Sequence, residues 1–98
     1  MIYAVGREEF VRMFMLLGLA GEVVGSAEEL LSTVEKLASR DDVELILVER
    51  YLSGPVRDRL DSIRLERPLP LILEVPGLGE EPRFRRDYMR LLKMALGY

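Results

Sequence analysis

The side chains that carry most enzyme chemistry are scarce in this chain. Its 98 residues contain no His and no Cys. The commonest general base, the commonest transition-metal ligand and all thiolate chemistry are therefore missing. What remains is carboxylate chemistry. Glu49 follows the apolar run Val43 to Val48, and Glu74 lies one residue before the end of the run Leu71 to Val75. Two carboxylates at the rim of one sheet could approach each other, and their repulsion would raise one pKa. With no third group to orient them, both read as solvated strand-end acids. Ser26, Ser32, Ser39, Ser53 and Ser62 have no His to activate them.

Phosphoryl chemistry fares no better. A phosphoacceptor site of the receiver type needs acids after the first strand to hold Mg²⁺, an Asp after the third and a Lys after the fourth. The chain offers Arg7, Glu49 and no Lys at those places, and Arg7 would repel the metal. Gly18, Gly21 and Gly25 follow a helix rather than open one, so they form no phosphate cradle. Gly77-Leu78-Gly79 does precede a helix, with Arg83, Arg85 and Arg86 nearby. A lone Gly-x-Gly is a weak signal, and a flexible connector explains it better. No catalytic residue, metal site or cofactor is expected.

The elements that would hold such groups alternate. Met1 to Val5 reads as a strand ended by Gly6. Glu8 to Leu17 has helical period, with Phe10, Met13, Phe14 and Leu17 on one face. Val11 and Met15 fall on another face, as a wide core stripe or a small patch for a partner. Gly18 and Gly21 read as turn residues, and Glu22 to Gly25 as a short strand. Ser26-Ala27-Glu28-Glu29 matches a capping box. The helix behind it carries Leu30, Val34, Leu37 and Ala38, and should end near Arg40. Val43 to Val48 is the clearest strand and belongs in the middle of a sheet. Glu49 to Leu52 suggests a turn of helix. Pro55 suits a first helical position, ahead of the narrow stripe Val56, Leu60 and Ile63.

Pro68, Pro70 and Pro76 then bound the strand Leu71 to Val75, an apolar run that implies cover on both faces. Pro70 suits the start of an edge strand. This β-α-β-α-β-α-β-α order predicts an α/β fold. Its core would be a four-stranded parallel sheet in the order 2-1-3-4, with helices on both faces in a receiver-like or Rossmann-like arrangement. The weak second strand and the Pro-flanked fourth belong at the edges. Residues 1–76 form the globular part and 77–82 a flexible connector. Residues 83–98 carry a C-terminal helix, from about Arg83 to Leu96.

Composition narrows the compartment. No apolar run approaches the roughly 18–20 residues of a membrane span. The start lacks the charge and apolar length of a signal peptide. A soluble, cytoplasmic protein of one domain is expected, with no membrane insertion. The net charge of −3 argues against a nucleic-acid partner. The chain lacks Asn and Gln, and nearly all its cations are Arg. That bias suggests a heat-adapted source, with the codon bias of a GC-rich genome as the rival explanation.

The last segment departs from the rest. Arg83, Arg85, Arg86, Arg90 and Lys93 outnumber its acids on an acidic chain. Three of these arginines fall in the first helical turn, where the macrodipole disfavours cations, so something external should compensate. Phe84, Tyr88, Leu91, Leu92 and Ala95 form one apolar face, with Met89 partly off it. This is either a closing helix packed on the sheet or a helix offered to a partner. The second reading names Arg83, Phe84, Arg85, Arg86, Tyr88, Met89, Leu91, Leu92 and Ala95 as the contact set.

The pattern resembles the F subunit of the archaeal/vacuolar-type (A/V-type) ATP synthases. The matching pieces are Ile2-Tyr3-Ala4-Val5-Gly6, the segment ending in Leu17-Gly18-Leu19, Leu45-Ile46-Leu47-Val48-Glu49 and, most specifically, Arg67 to Pro76 with its Leu73-Glu74-Val75-Pro76 ending. Family members often carry Gly-Asp where this chain has Gly6-Arg7. The resemblance implies a noncatalytic part of a rotating central stalk. It implies that the helix at 83–96 packs along the coiled coil of the D subunit. The globular part would lie below the catalytic A/B hexamer, facing the membrane rotor. The protein would then be peripheral on the inner face of the cell membrane. A degenerate receiver-like regulatory domain is the alternative.

Overall fold

The computed structural model describes residues 1–77 and Arg90. Strand β1 (Ile2–Gly6) leads into helix α1 (Glu8–Leu16), then β2 (Ala20–Val23), α2 (Ala27–Ala38) and β3 (Leu45–Glu49). A short helix, α3 (Arg50–Ser53), runs through a 3-10 turn at Gly54–Val56 into α4 (Arg57–Glu66). Strand β4 (Leu71–Val75) follows. The sheet is parallel in the order β2-β1-β3-β4, as the alternation predicts. The central places of β1 and β3 agree with their burial.

Local chemistry fixes the joints. The α1 helix ends in a Schellman turn. Gly18, at φ +90°, donates its N–H to the Met15 carbonyl, and Leu19 donates to that of Phe14. The chain is then already extended at Ala20, so β2 begins two residues earlier than the sequence suggests. Gly21 is not a turn residue but part of β2. A Cβ there would lie 2.4 Å from a methyl carbon of Val11, so glycine lets α1 lie close on the strand. The expected cap at α2 forms, with its return bond shifted from Ser26 to the preceding residue. The Glu29 N–H donates to Ser26 Oγ at 3.1 Å, while the Glu29 carboxylate accepts from the Gly25 N–H at 3.1 Å. Pro55 lies in the 3-10 turn rather than at the start of α4.

Parity along the strands sorts the core onto two faces. On one, Tyr3, Val5, Ile46, Val48 and Ile72 pack against Leu30, Val34 and Leu37 of α2, and against Leu52, Val56 and Leu60. On the other, Ala4, Leu47 and Val75 pack against Phe10, Val11 and Phe14 of α1. The rings of Phe10 and Phe14 meet edge to face, centroids 4.9 Å apart. Val11 is therefore core, while Met15 points outward.

The second face departs from the expectation of full cover. Among the described residues α1 is its only helix, and nine residues cannot span four strands. Leu71 and Leu73 of β4 are left 56% and 44% exposed. An apolar run shows that a strand can be buried on both sides, not that a second layer reaches it.

Candidate functional site

In an open parallel sheet, ligands sit beyond the strand C-termini where the strand order switches. Here that point lies between β1 and β3, whose ends deliver Arg7 and Glu49. Glu49 closes β3 on the α1 face, with only 3% of its surface exposed. Arg7 follows β1 directly and folds over it. Its backbone N–H donates to Glu49 Oε1 at 2.9 Å. Its Nε lies 3.1 and 3.2 Å from the two carboxylate oxygens, and Nη2 donates to Oε2 at 2.7 Å. The guanidinium also stacks on the Tyr51 ring, 3.9 Å from its centroid. These hydrogen bonds hold the Arg7 guanidinium even more firmly protonated than usual, against the opposing effect of burial.

The backbone is shaped around this pair. A Cβ on Gly6 would meet Glu49 Cβ at 2.7 Å and the Phe10 ring at 2.8 Å. One on Gly77 would stand 3.5 Å from Glu49 Oε2. The crevice that would hold a cation or an acceptor carboxylate is thus filled by an internal ion pair. The sequence places Arg7 and Glu49 at one rim, and opposite charge on adjacent strand ends is the signal that foretells their pairing.

Glu74 is a separate matter. The register sets Glu49 opposite Val75 and Glu74 opposite Val48, so the two carboxylates project from opposite faces. Glu74 accepts from Arg57 of α4, Nη2 to Oε2 at 2.9 Å and Nε to both oxygens at 3.1 Å. Both expectations for these acids are corrected. They do not approach each other, and they are not solvated strand-end acids. Each is mostly buried and bound by its own arginine.

Two further features lie on the surface of the described residues. A groove of about 340 Å³ between α2 and α4 is lined by Glu35, Arg59, Glu66 and Arg67, whose charges offset one another. At the opposite end of the strands from the rim, Arg40 holds both oxygens of Asp42 at 3.0 and 2.7 Å and donates to the Tyr3 hydroxyl at 2.9 Å. This holds the Asp42 carboxyl below its usual range. The expected contact set of Arg83, Phe84, Arg85, Arg86, Tyr88, Met89, Leu91, Leu92 and Ala95 lies outside the described residues.

The fold and its rim define a small parallel α/β domain of receiver-like architecture, in which an arginine stands where a receiver would bring metal-binding acids. The chain belongs to the family of the ATP synthase (F/14-kDa) subunit, whose pattern it matches over residues 2–92. It is 31% identical over 93 residues to the F subunit of the V-type ATP synthase of Thermus thermophilus, covering 92% of this chain and 89% of that protein. It is 30% identical over 89 residues to the F subunit of the V-type proton ATPase of Rattus norvegicus and to that of Bos taurus. Each of those matches covers 79% of this chain and 73% of the relative. The Thermus relative agrees with the heat-adapted composition. No helix among the described residues is long and apolar enough to cross a membrane.

Proposed function

We propose that this chain is a noncatalytic central-stalk subunit of a V-type ATPase, coupling ATP turnover in the A/B hexamer to ion movement at the membrane rotor. The observation that carries the noncatalytic part is the Arg7–Glu49 pair. It occupies the one crevice where such a sheet would bind a ligand, and it sets a cation where phosphoryl chemistry needs Mg²⁺. A part that transmits torque needs a firm body and a broad contact instead of a pocket. Family membership supports the assignment to the complex. In this reading the segment 83–96 packs along the coiled coil of the D subunit, through Phe84, Tyr88, Met89, Leu91, Leu92 and Ala95. Arg83, Arg85 and Arg86 pair with acids of that partner. The protein is then cytoplasmic and peripheral to the membrane.

Deleting residues 83–98 tests this. The expected outcome is a truncated chain that keeps its circular dichroism signal but no longer pulls down the coiled-coil subunit. Retained binding would overturn the assignment of the contact. Loss of the fold would make the segment a closing layer of this domain instead.

A further inference from the structure

The two edges of the sheet are treated differently. At the β4 edge, the Leu71 N–H donates inward to Glu44, so by alternation the backbone groups of Ile72 and Glu74 face outward. Arg64 of α4 covers that edge. Its Nη2 and Nε donate to the Ile72 carbonyl at 2.7 and 3.2 Å. Pro70, which has no N–H to offer, stands directly before the strand. At the β2 edge, the Val24 N–H donates inward to Gly6 at 2.8 Å, so the backbone groups of Gly21 and Val23 face outward. Among the described residues nothing bonds to them.

The surroundings of that open edge have a definite chemistry. On the α1 side lie Val23, 57% exposed, and Met15, 54% exposed. Gly21 presents no side chain there. On the other side, Glu22 is exposed and has no ion pair among the described residues. A second copy is a poor occupant. The antiparallel register that pairs the outward groups of Gly21 with those of Val23 would set Glu22 directly across from its own copy, and facing like charges destabilise a sheet.

We propose that the open edge of β2 receives an extended segment of another subunit of the same complex, added as a fifth strand. That segment carries Lys or Arg across from Glu22. Across from Gly21 and Val23 it carries apolar residues, which pack beside the exposed Val23 and Met15 on the α1 side. The backbone bonds give affinity and the alternating side chains give specificity. The proposal rests on the chain being a V-type ATPase subunit.

Hydrogen exchange at single amides tests it, comparing the isolated full chain with the chain in the assembled, detergent-solubilised complex. The Gly21 and Val23 amides should exchange freely in isolation and slow by about tenfold or more on assembly. Unchanged exchange in a chain that co-elutes with the complex overturns the added strand and leaves the subunit reading intact. Failure to co-elute overturns both. Protection already present in isolation also overturns it. Sedimentation would then attribute the cover to the chain's own segment in a monomer, or to a second copy in a dimer. Val23→Pro removes an outward N–H, and Glu22→Lys reverses the charge. With melting unchanged, each should reduce retention in the complex, and wild-type retention of both would count decisively against the proposal.

Discussion

Glu49 and Arg7 lie 42 positions apart in the chain, yet one buried carboxylate takes the backbone N–H, Nε and Nη2 of a single arginine. The pair ties the C-terminal ends of the two central strands together. Removing one partner of a fully buried pair costs roughly 3–5 kcal/mol. Arg7 is half exposed, so water can enter in its place. Arg7→Ala should therefore lose about 1.5–3 kcal/mol, the range for hydrogen bonds to a charged group. Arg7→Met with Glu49→Leu should recover part of that loss, because no charge is then stranded. Urea unfolding of Arg7→Met alone, Glu49→Leu alone and the two together measures the coupling. Additive losses would mean that the pair is incidental.

The glycines give a sharper contrast. Gly21→Ala pushes a Cβ into Val11, which is fully buried and cannot yield. Overpacking of this kind costs roughly 1–3 kcal/mol. Gly25→Ala meets nothing and needs no unusual φ, so it should leave the melting temperature unchanged or slightly raised. Thermal melts of both variants would separate glycine kept for packing from glycine that is merely tolerated.

Strand β4 should be energetically one-sided. Ile72 is buried against the α2/α4 layer, and Ile72→Ala should cost roughly 2–5 kcal/mol. Leu71 and Leu73 project from the other face, where more than two-fifths of each is exposed. Truncating either to Ala should cost well under half as much, about 1 kcal/mol or less, because part of the apolar surface stays in water in both states. Equal losses from Ile72→Ala and Leu73→Ala would mean that both faces are covered in solution.

Acid should loosen the end of the sheet opposite the rim. The Arg40 guanidinium holds the folded-state pKa of Asp42 below its unfolded value. A group depressed in this way adds stability above the unfolded value, about 3.9, and loses it as pH falls through the folded value. Asp42→Asn should thus melt lower than the parent chain at pH 7, with the gap closing as the pH falls below about 4. Because Asp42 is exposed and salt screens such pairs, the gap should also narrow in concentrated salt. A gap that persists unchanged at pH 2 would assign the effect to something other than this charge.

What the sequence conveys well is local. The run Val43 to Val48 and the spacing of Phe10, Met13 and Phe14 announce a central strand and an amphipathic helix from short-range periodicity alone, although Leu17, expected on the same face, lies beyond α1 and is exposed. The alternation of elements then leaves few topologies. What it conveys poorly is pairing at a distance. Glu49 and Glu74 look solvated in the sequence because their arginines lie 42 and 17 positions away. Gly21 looks like a turn residue because its reason, the approach of Val11, belongs to another element. The cover over Leu71 and Leu73 depends on what lies beside the strand, which an apolar run does not encode.

The segment beyond Gly77 can be probed through its charge. Arg83, Arg85 and Arg86 crowd the first turn of the expected helix, where each cation is disfavoured by a few tenths to about 1 kcal/mol unless an acid faces it. If the coiled-coil partner supplies those acids, replacing the three arginines with Ser should weaken binding strongly at low ionic strength. The deficit should shrink near 1 M salt, where the screening length falls to about 3 Å. Replacing Phe84 and Leu91 with Ala should weaken binding at every ionic strength, because apolar burial is not screened. Calorimetric titration at two salt concentrations distinguishes the two contributions. An arginine effect that is independent of salt would place those side chains against the domain itself and leave the partner held by apolar contact alone.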